Sequence, residues 1–141
     1  MNSQTRFARQ QSGVILLEAL LAILIFSLGI LALVGLQAAA VKQSADAKDR
    51  TEAALLANEV IGQMWVSDRT TATLQGNFNS PGGADYNNWL VRVGGVLPGV
   101  AANPPEIVID NSGIATVTVR WAAPNEADPA THSYIAIAQI R

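Results

Sequence analysis

The chain contains no cysteine and a single histidine. Without thiols there is no disulfide framework, no thiolate metal site and no cysteine nucleophile. One imidazole, His132, cannot assemble any of the usual zinc ligand sets. His132 beside Ser133 is not a catalytic pair, because neighbouring residues of a strand point to opposite faces. Charge is also sparse, at 14 % of residues, and the formal net charge is −2. Two of the nine basic residues, Arg6 and Arg9, precede Gly13, which leaves seven against eleven acidic residues. That balance lacks the basic patch that nucleic acid rewards. The pairs Gly82-Gly83 and Gly94-Gly95 are not followed by a lysine and a helix start in phosphate-loop register. Asp85 with Asn87 and Asn88 does not have the spacing of a calcium loop. These absences leave no catalytic residue, no metal site and no cofactor to expect, and they argue against an enzyme.

What is present in quantity is apolar side chain, and much of it is in one block. At 141 residues the chain has room for one small domain. Residues 1–13 are polar, with two arginines, and read as a leader. Residues 14–36 are apolar apart from Glu18 and Ser27. Eighteen helical residues rise roughly 27 Å, close to the ~30 Å of a hydrocarbon core. Arg6 and Arg9 precede this block with no balancing acid, so its N-terminal end is expected to stay cytoplasmic while the C-terminal part crosses. No convincing small-residue cleavage site follows the block, as an ordinary secretory signal would require. The small residue that stands out is Gly13, before it.

Residues 37–66 remain helix-favouring, rich in alanine and without proline. Ala54, Ala57, Ile61, Met64 and Trp65 form a stripe at helical spacing, so an amphipathic second half of one long helix is expected. Glu52, Leu55 and Leu56 fall off that stripe and are candidates for a partner surface. Residues 67–88 are rich in Gly, Asn, Ser and Thr and read as a loop. Residues 89–141 read as an antiparallel sheet of about four strands. Trp89–Val93, extending towards Val96 and Leu97, gives one strand region. Glu106–Asp110 and Ile114–Trp121 flank Asn111-Ser112-Gly113, a three-residue hairpin signal. Ala115, Val117, Val119 and Trp121 alternate with polar residues, an inside/outside strand pattern. A loop with Pro124 and Pro129 precedes a last strand at Ser133–Ile140. Helix first and hairpin-linked strands after predict an α+β domain, with the sheet against the helix. Trp65, Trp89 and Trp121 are expected to pack in the core.

Glu18 is the residue with most chemical meaning. An acid inside a membrane segment costs up to ~2.5–3.5 kcal/mol on insertion scales, so it calls for a functional role. Cleavage after Gly13 would create an amine on Val14, one helical turn from Glu18. Glu18 could pair with that amine, or with the Val14 amine of a neighbouring chain, and so fix a docking register.

Gly13 followed by Val14-Ile15-Leu16-Leu17-Glu18 and an apolar helix resembles the class III signal of the type IV prepilin family. The resemblance implies a long helix packed on an antiparallel sheet. It implies cleavage after Gly13 by a prepilin peptidase, methylation of the Val14 amine, and Glu18 as an assembly residue. The family usually has phenylalanine where this chain has Val14. A looser resemblance, to the minor pilins within that family, rests on Leu17-Glu18-Ala19-Leu20, Gly35-Leu36-Gln37, Trp89, Pro98-Gly99 and Val117-Thr118-Val119-Arg120-Trp121. It implies other minor pilins, the major pilin and a tip adhesin as partners, with a role in starting filaments. It also implies an inner-membrane location before assembly and a pilus location afterwards. The minor pseudopilins of type II secretion share the N-terminal signature. A single-span membrane protein with a periplasmic ligand-binding domain is the alternative of another class, and it gives Glu18 no role.

Overall fold

The computed structural model describes residues 11–124 and 132–141. Arg6, Arg9, most of the expected leader, and Pro129 lie outside the described residues. The chain divides into two compact units, the first ending at Ser44 and the second covering Ala45–Arg141. Helix α1 (Gln11–Val66) runs through both. Residues 11–13 of the expected leader are helical.

Within the second unit, α1 is followed by α2 (Thr71–Phe78), α3 (Ala84–Val96), β1 (Glu106–Ile109), β2 (Ile114–Trp121) and β3 (His132–Gln139). The strands form one antiparallel sheet in the order β1-β2-β3. An α+β arrangement with a long N-terminal helix is therefore observed, with three strands rather than about four.

The β1–β2 hairpin forms where the sequence places it, with Glu106 opposite Thr118 and Ile109 opposite Ala115. Gly113 sits at φ +75°, a backbone conformation that side-chain-bearing residues rarely adopt. The Asp110 carboxylate accepts the N–H groups of Ser112 (2.8 Å) and Ile114 (2.9 Å), which locks the turn. Along β2, Ala115, Val117, Val119 and Trp121 are buried and the intervening residues are half-exposed, as the alternation predicts.

Two expectations fail between residues 67 and 97. The stretch read as a loop contains α2 and the start of α3. The stretch Trp89–Val93, read as a strand, lies inside α3. In that segment Trp89, Val91 and Val93 fit a period of two, but Tyr86, Trp89, Val93 and Leu97 fit a helical stripe, and these four are the buried ones. The helical period prevails because it delivers four side chains to one core. Helix α2 has only eight residues and no side-chain cap, too short to persist alone. Burial of Leu74 and Phe78 stabilises it, by roughly 3–6 kcal/mol for the pair.

The buried stripe of α1 is also rotated from the expected one. Ala53, Leu56, Ala57, Val60 and Met64 face the core. Trp65 is 45 % exposed, so two of the three tryptophans are core residues and this one is not. Residues 53–57 are Ala-Ala-Leu-Leu-Ala, and both readings have near-identical spacing. The rotation turns Leu56 inward, where it meets α3. The Trp89 indole N–H donates to the Leu56 carbonyl at 3.0 Å, buried on all sides.

The outer edge of β1 is closed by α2 and the residues after it. Ile107 donates to Ser80 Oγ (3.2 Å) and accepts from Ser80 N–H (3.0 Å). Ile109 donates to Asn79 Oδ1 (2.8 Å) and accepts from Gln75 Nε2 (2.9 Å). The Ser80-Pro81 peptide is cis.

Two outcomes follow from this packing. A chain starting at Ala45 retains the whole core and should unfold cooperatively, whereas one starting after Val66 loses five core side chains and the acceptor for Trp89. Cooperative thermal unfolding of the shorter chain would contradict the assigned role of α1. Tyr86 donates from its hydroxyl to the Pro105 carbonyl at 2.8 Å. Tyr86→Phe should cost ~1 kcal/mol, because that carbonyl loses its partner. Burial first, and the nearby Glu106 second, push the phenol above its ordinary value of 10.0. The unfolded phenol therefore loses its proton first, so this contribution is full below about pH 10 and falls as pH rises through the folded pKa. Tyr86→Phe should flatten that alkaline loss in urea unfolding measured from pH 9 to 12.

Candidate functional site

In the first unit, α1 is exposed from Gly13 to Ser44. Its large apolar residues, from Val14 to Leu36, are 46–70 % exposed. No charged residue occurs from Ala19 to Val41. Within this stretch the Ser27 hydroxyl donates to the Ile23 carbonyl at 2.7 Å, so its polar group is satisfied inside the helix. The segment is long and apolar enough to cross a membrane.

Glu18 interrupts that surface. Among the described residues, no donor is bonded to its carboxylate. At about 100° per residue, Val14, Ala22, Ile25, Gly29 and Ala32 all lie within roughly 40° of Glu18 around the helix axis. Three of these are small, and nothing lies within 4 Å of a Cβ built on Gly29. A second helix can therefore approach closely along the Glu18 face. Ala19 and Gly35 are small too, but they lie to the sides of that face.

Gly13 and Val14 lie in the first turn of α1. Val14 and Glu18 are four residues apart on it, about one helical turn. The structure thus brings Val14 and Glu18 to one helix face.

The second group of candidates is split. Leu55 is 65 % exposed and Glu52 is half-buried, but Leu56 is 5 % exposed and belongs to the core. Leu56 is therefore withdrawn from any partner surface. The exposed side of α1 next to Leu55 carries Glu59 instead, paired with Arg92 of α3 at 2.6 Å.

The described residues of the second unit include two clefts that bear on function. One, of about 190 Å³, is lined by Asp46, Arg50, Trp121, His132 and Ser133. The imidazole of His132 stacks on Trp121 at 5.6 Å and 23°. The other, of about 440 Å³, is apolar and lies between the end of α3 and the segment Leu97–Pro104. No titratable group lines it, so it can bind but offers no acid, base or nucleophile. Among the described residues, no three His, Asp or Glu side chains come together as metal ligands. Sequence reasoning missed this apolar cleft because residues 89–97 read as a strand, whereas the cleft is walled by the end of helix α3.

No protein-family model, no curated protein and no solved structure matches this chain.

Glu18→Ala should leave membrane insertion intact or favour it, since it removes up to ~2.5–3.5 kcal/mol of burial cost. The same substitution should lower crosslinking between neighbouring helices at position 29, and Ala22→Leu should do so with Glu18 retained. Crosslinking at wild-type levels in both variants would exclude this face as a docking surface.

Proposed function

We propose that this chain is a minor subunit of a type IV pilus-like filament, anchored in the inner membrane by α1 and later built into the filament through it. One observation carries the reading. The only charge on the exposed apolar stretch of α1 is Glu18, on the same helix face as Val14, which follows Gly13 directly. An isolated acid in that setting is costly until a cation meets it, and an amine released at Val14 of a neighbouring chain supplies one. The long helix followed by an antiparallel meander is consistent with the pilin layout.

In this reading prepilin peptidase cuts after Gly13 and methylates Val14, Glu18 sets the register of assembly, and the second unit selects partners. These are other minor pilins, the major pilin and a tip adhesin. The chain performs no catalysis. The step from pilin to minor pilin rests on the resemblance to minor pilins of the PilV type, through Gly35-Leu36-Gln37 and Val117-Thr118-Val119-Arg120-Trp121. Trp89 carries no part of it, because it sits in α3 rather than at a strand start. The apolar cleft at Leu97–Pro104 is the feature that a membrane-anchored ligand-binding protein would use. That reading leaves Glu18 unexplained.

The N-terminus of the mature protein decides between them. When the chain is produced with a prepilin peptidase, intact mass should show loss of residues 1–13 and gain of one methyl group on Val14. A chain left uncut, or cut near Ala40, would overturn the proposal.

A further inference from the structure

The two edges of the sheet are treated differently. The outward groups of β1 are taken by Gln75, Asn79 and Ser80. Those of β3 are not. The Ile140 N–H donates to the Gly113 carbonyl at 2.8 Å, and this bond sets the alternation along β3. Residues 132, 134, 136 and 138 bond to β2, so the N–H and C=O groups of Ser133, Ile135, Ile137 and Gln139 point to the free edge. Among the described residues, nothing bonds to these eight groups.

Free edges are normally blunted by a charge, a proline, a bulge or short length. β3 has eight residues, His-Ser-Tyr-Ile-Ala-Ile-Ala-Gln, with no proline, glycine, acid, lysine or arginine. Its outward side chains include Ile135, 57 % exposed, and Ile137, 69 % exposed. A long, flat, uncharged and apolar edge is suited to strand addition.

We propose that the free edge of β3 receives an extended segment of another protein chain, paired antiparallel as a fourth strand. Its chemistry follows from the edge. The segment is uncharged, because a charge beside Ile135 and Ile137 would be desolvated without a partner. It carries β-branched or other apolar side chains at alternate positions, to cover those two isoleucines.

A second copy of this chain fits less well. Helix α1 packs on the inner face of the sheet, and Arg69, just beyond its end, reaches the Arg141 carbonyl at 2.6 Å. Asp46 and Arg50 share a cleft with His132 at the start of β3, so α1 and β3 run in the same direction. Pairing β3 with β3 about a two-fold normal to the sheet would reverse that helix between the copies. Subunits inserted in one membrane from the same side carry it in one direction. This exclusion of a second copy rests on the filament-subunit reading; the open edge does not.

The test uses the full chain in detergent micelles and amide hydrogen exchange. The probe is the capped peptide Gln-Thr-Ile-Thr-Ile-Thr-Gln, which has the required chemistry and is no segment of this chain. The amides of Ser133, Ile135, Ile137 and Gln139 should exchange fast without it, and about tenfold more slowly with it. A peptide with lysine at both central isoleucines should give no protection. Ile137→Pro removes one outward N–H and no bond to β2, so it should keep the unfolding midpoint and lose the protection. Ile137→Lys serves if the proline variant fails to fold. Edge amides that are slow from the start, or a peptide without effect, or protection unchanged in both variants, would overturn the proposal. Protection that rises with protein concentration alone would show that a second copy fills the edge, and would overturn the choice of occupant. Peptide binding needs no peptidase and no filament, so its failure is separable from failure of cleavage at Gly13.

Discussion

The indole of Trp89 meets the carbonyl of Leu56 at the place where three helices and a sheet must share one apolar interior. A three-stranded meander has one face to bury and is too small to do so by itself. Helix α1 supplies Leu56, Ala57, Val60 and Met64, but alanine leaves space, and Trp89 fills it. A buried indole needs an acceptor for its N–H, and in a core without buried polar side chains only backbone is on offer. The Leu56 carbonyl serves, which fixes the rotation of α1 and the approach of α3 together. Once α3 is placed, Tyr86 reaches the Pro105 carbonyl and sets the entry to β1. Helix α2 then closes the outer edge of β1. Much of the second unit can be traced to that one bond and the side chain that makes it.

The same bond shows why parts of the fold were legible in the sequence and others were not. The long helix, the β1–β2 hairpin and the last strand are written locally, in an apolar run, a glycine that permits φ +75° and a strict alternation along β2. Helix α3 is written only in tertiary terms. Trp89-Leu90-Val91-Arg92-Val93 satisfies a strand period and a helix period at once, and the choice is made by α1 and α2, which receive Tyr86, Trp89 and Val93. The error over Leu56 has the same origin. Two adjacent stripes on α1 had equal claims until α3 approached one of them. From Gly13 to Ser44 the local pattern is not overruled, because among the described residues no side chain there is buried. Glu18 and its distance from Gly13 could be read directly for that reason.

The two units handle apolar surface in opposite ways. In Ala45–Arg141 most large side chains go inward, with Leu55, Trp65, Ile135 and Ile137 among the exceptions, and the groups on the outer edge of β1 are bonded. From Gly13 to Ser44 the large side chains are all outside. Contiguous exposed apolar surface on that scale is not sustained in water, so it marks contact with lipid or with other helices. A lipid environment alone would be served best by a segment without charge. In the proposed assembly Glu18 makes the segment worse at dissolving in lipid and better at choosing a neighbour, since a partner that offers a cation at that depth removes the cost. Ala22, Gly29 and Ala32 lie on the same side, so the neighbour that satisfies the charge can also come close enough to pack.

The open edge of β3 repeats this logic with backbone groups in place of a charge. Eight main-chain donors and acceptors without partners are tolerable in water, but beside Ile135 and Ile137 they form a surface that pairs better than it hydrates. The chain closes the other edge of the same sheet with five hydrogen bonds, so the capacity to seal an edge is present in this fold. Under the two proposals, leaving one edge sealed and one open gives the sheet a direction of growth, as Glu18 gives α1 a register. Both features lower the value of the isolated chain as a finished molecule and raise its selectivity as a component.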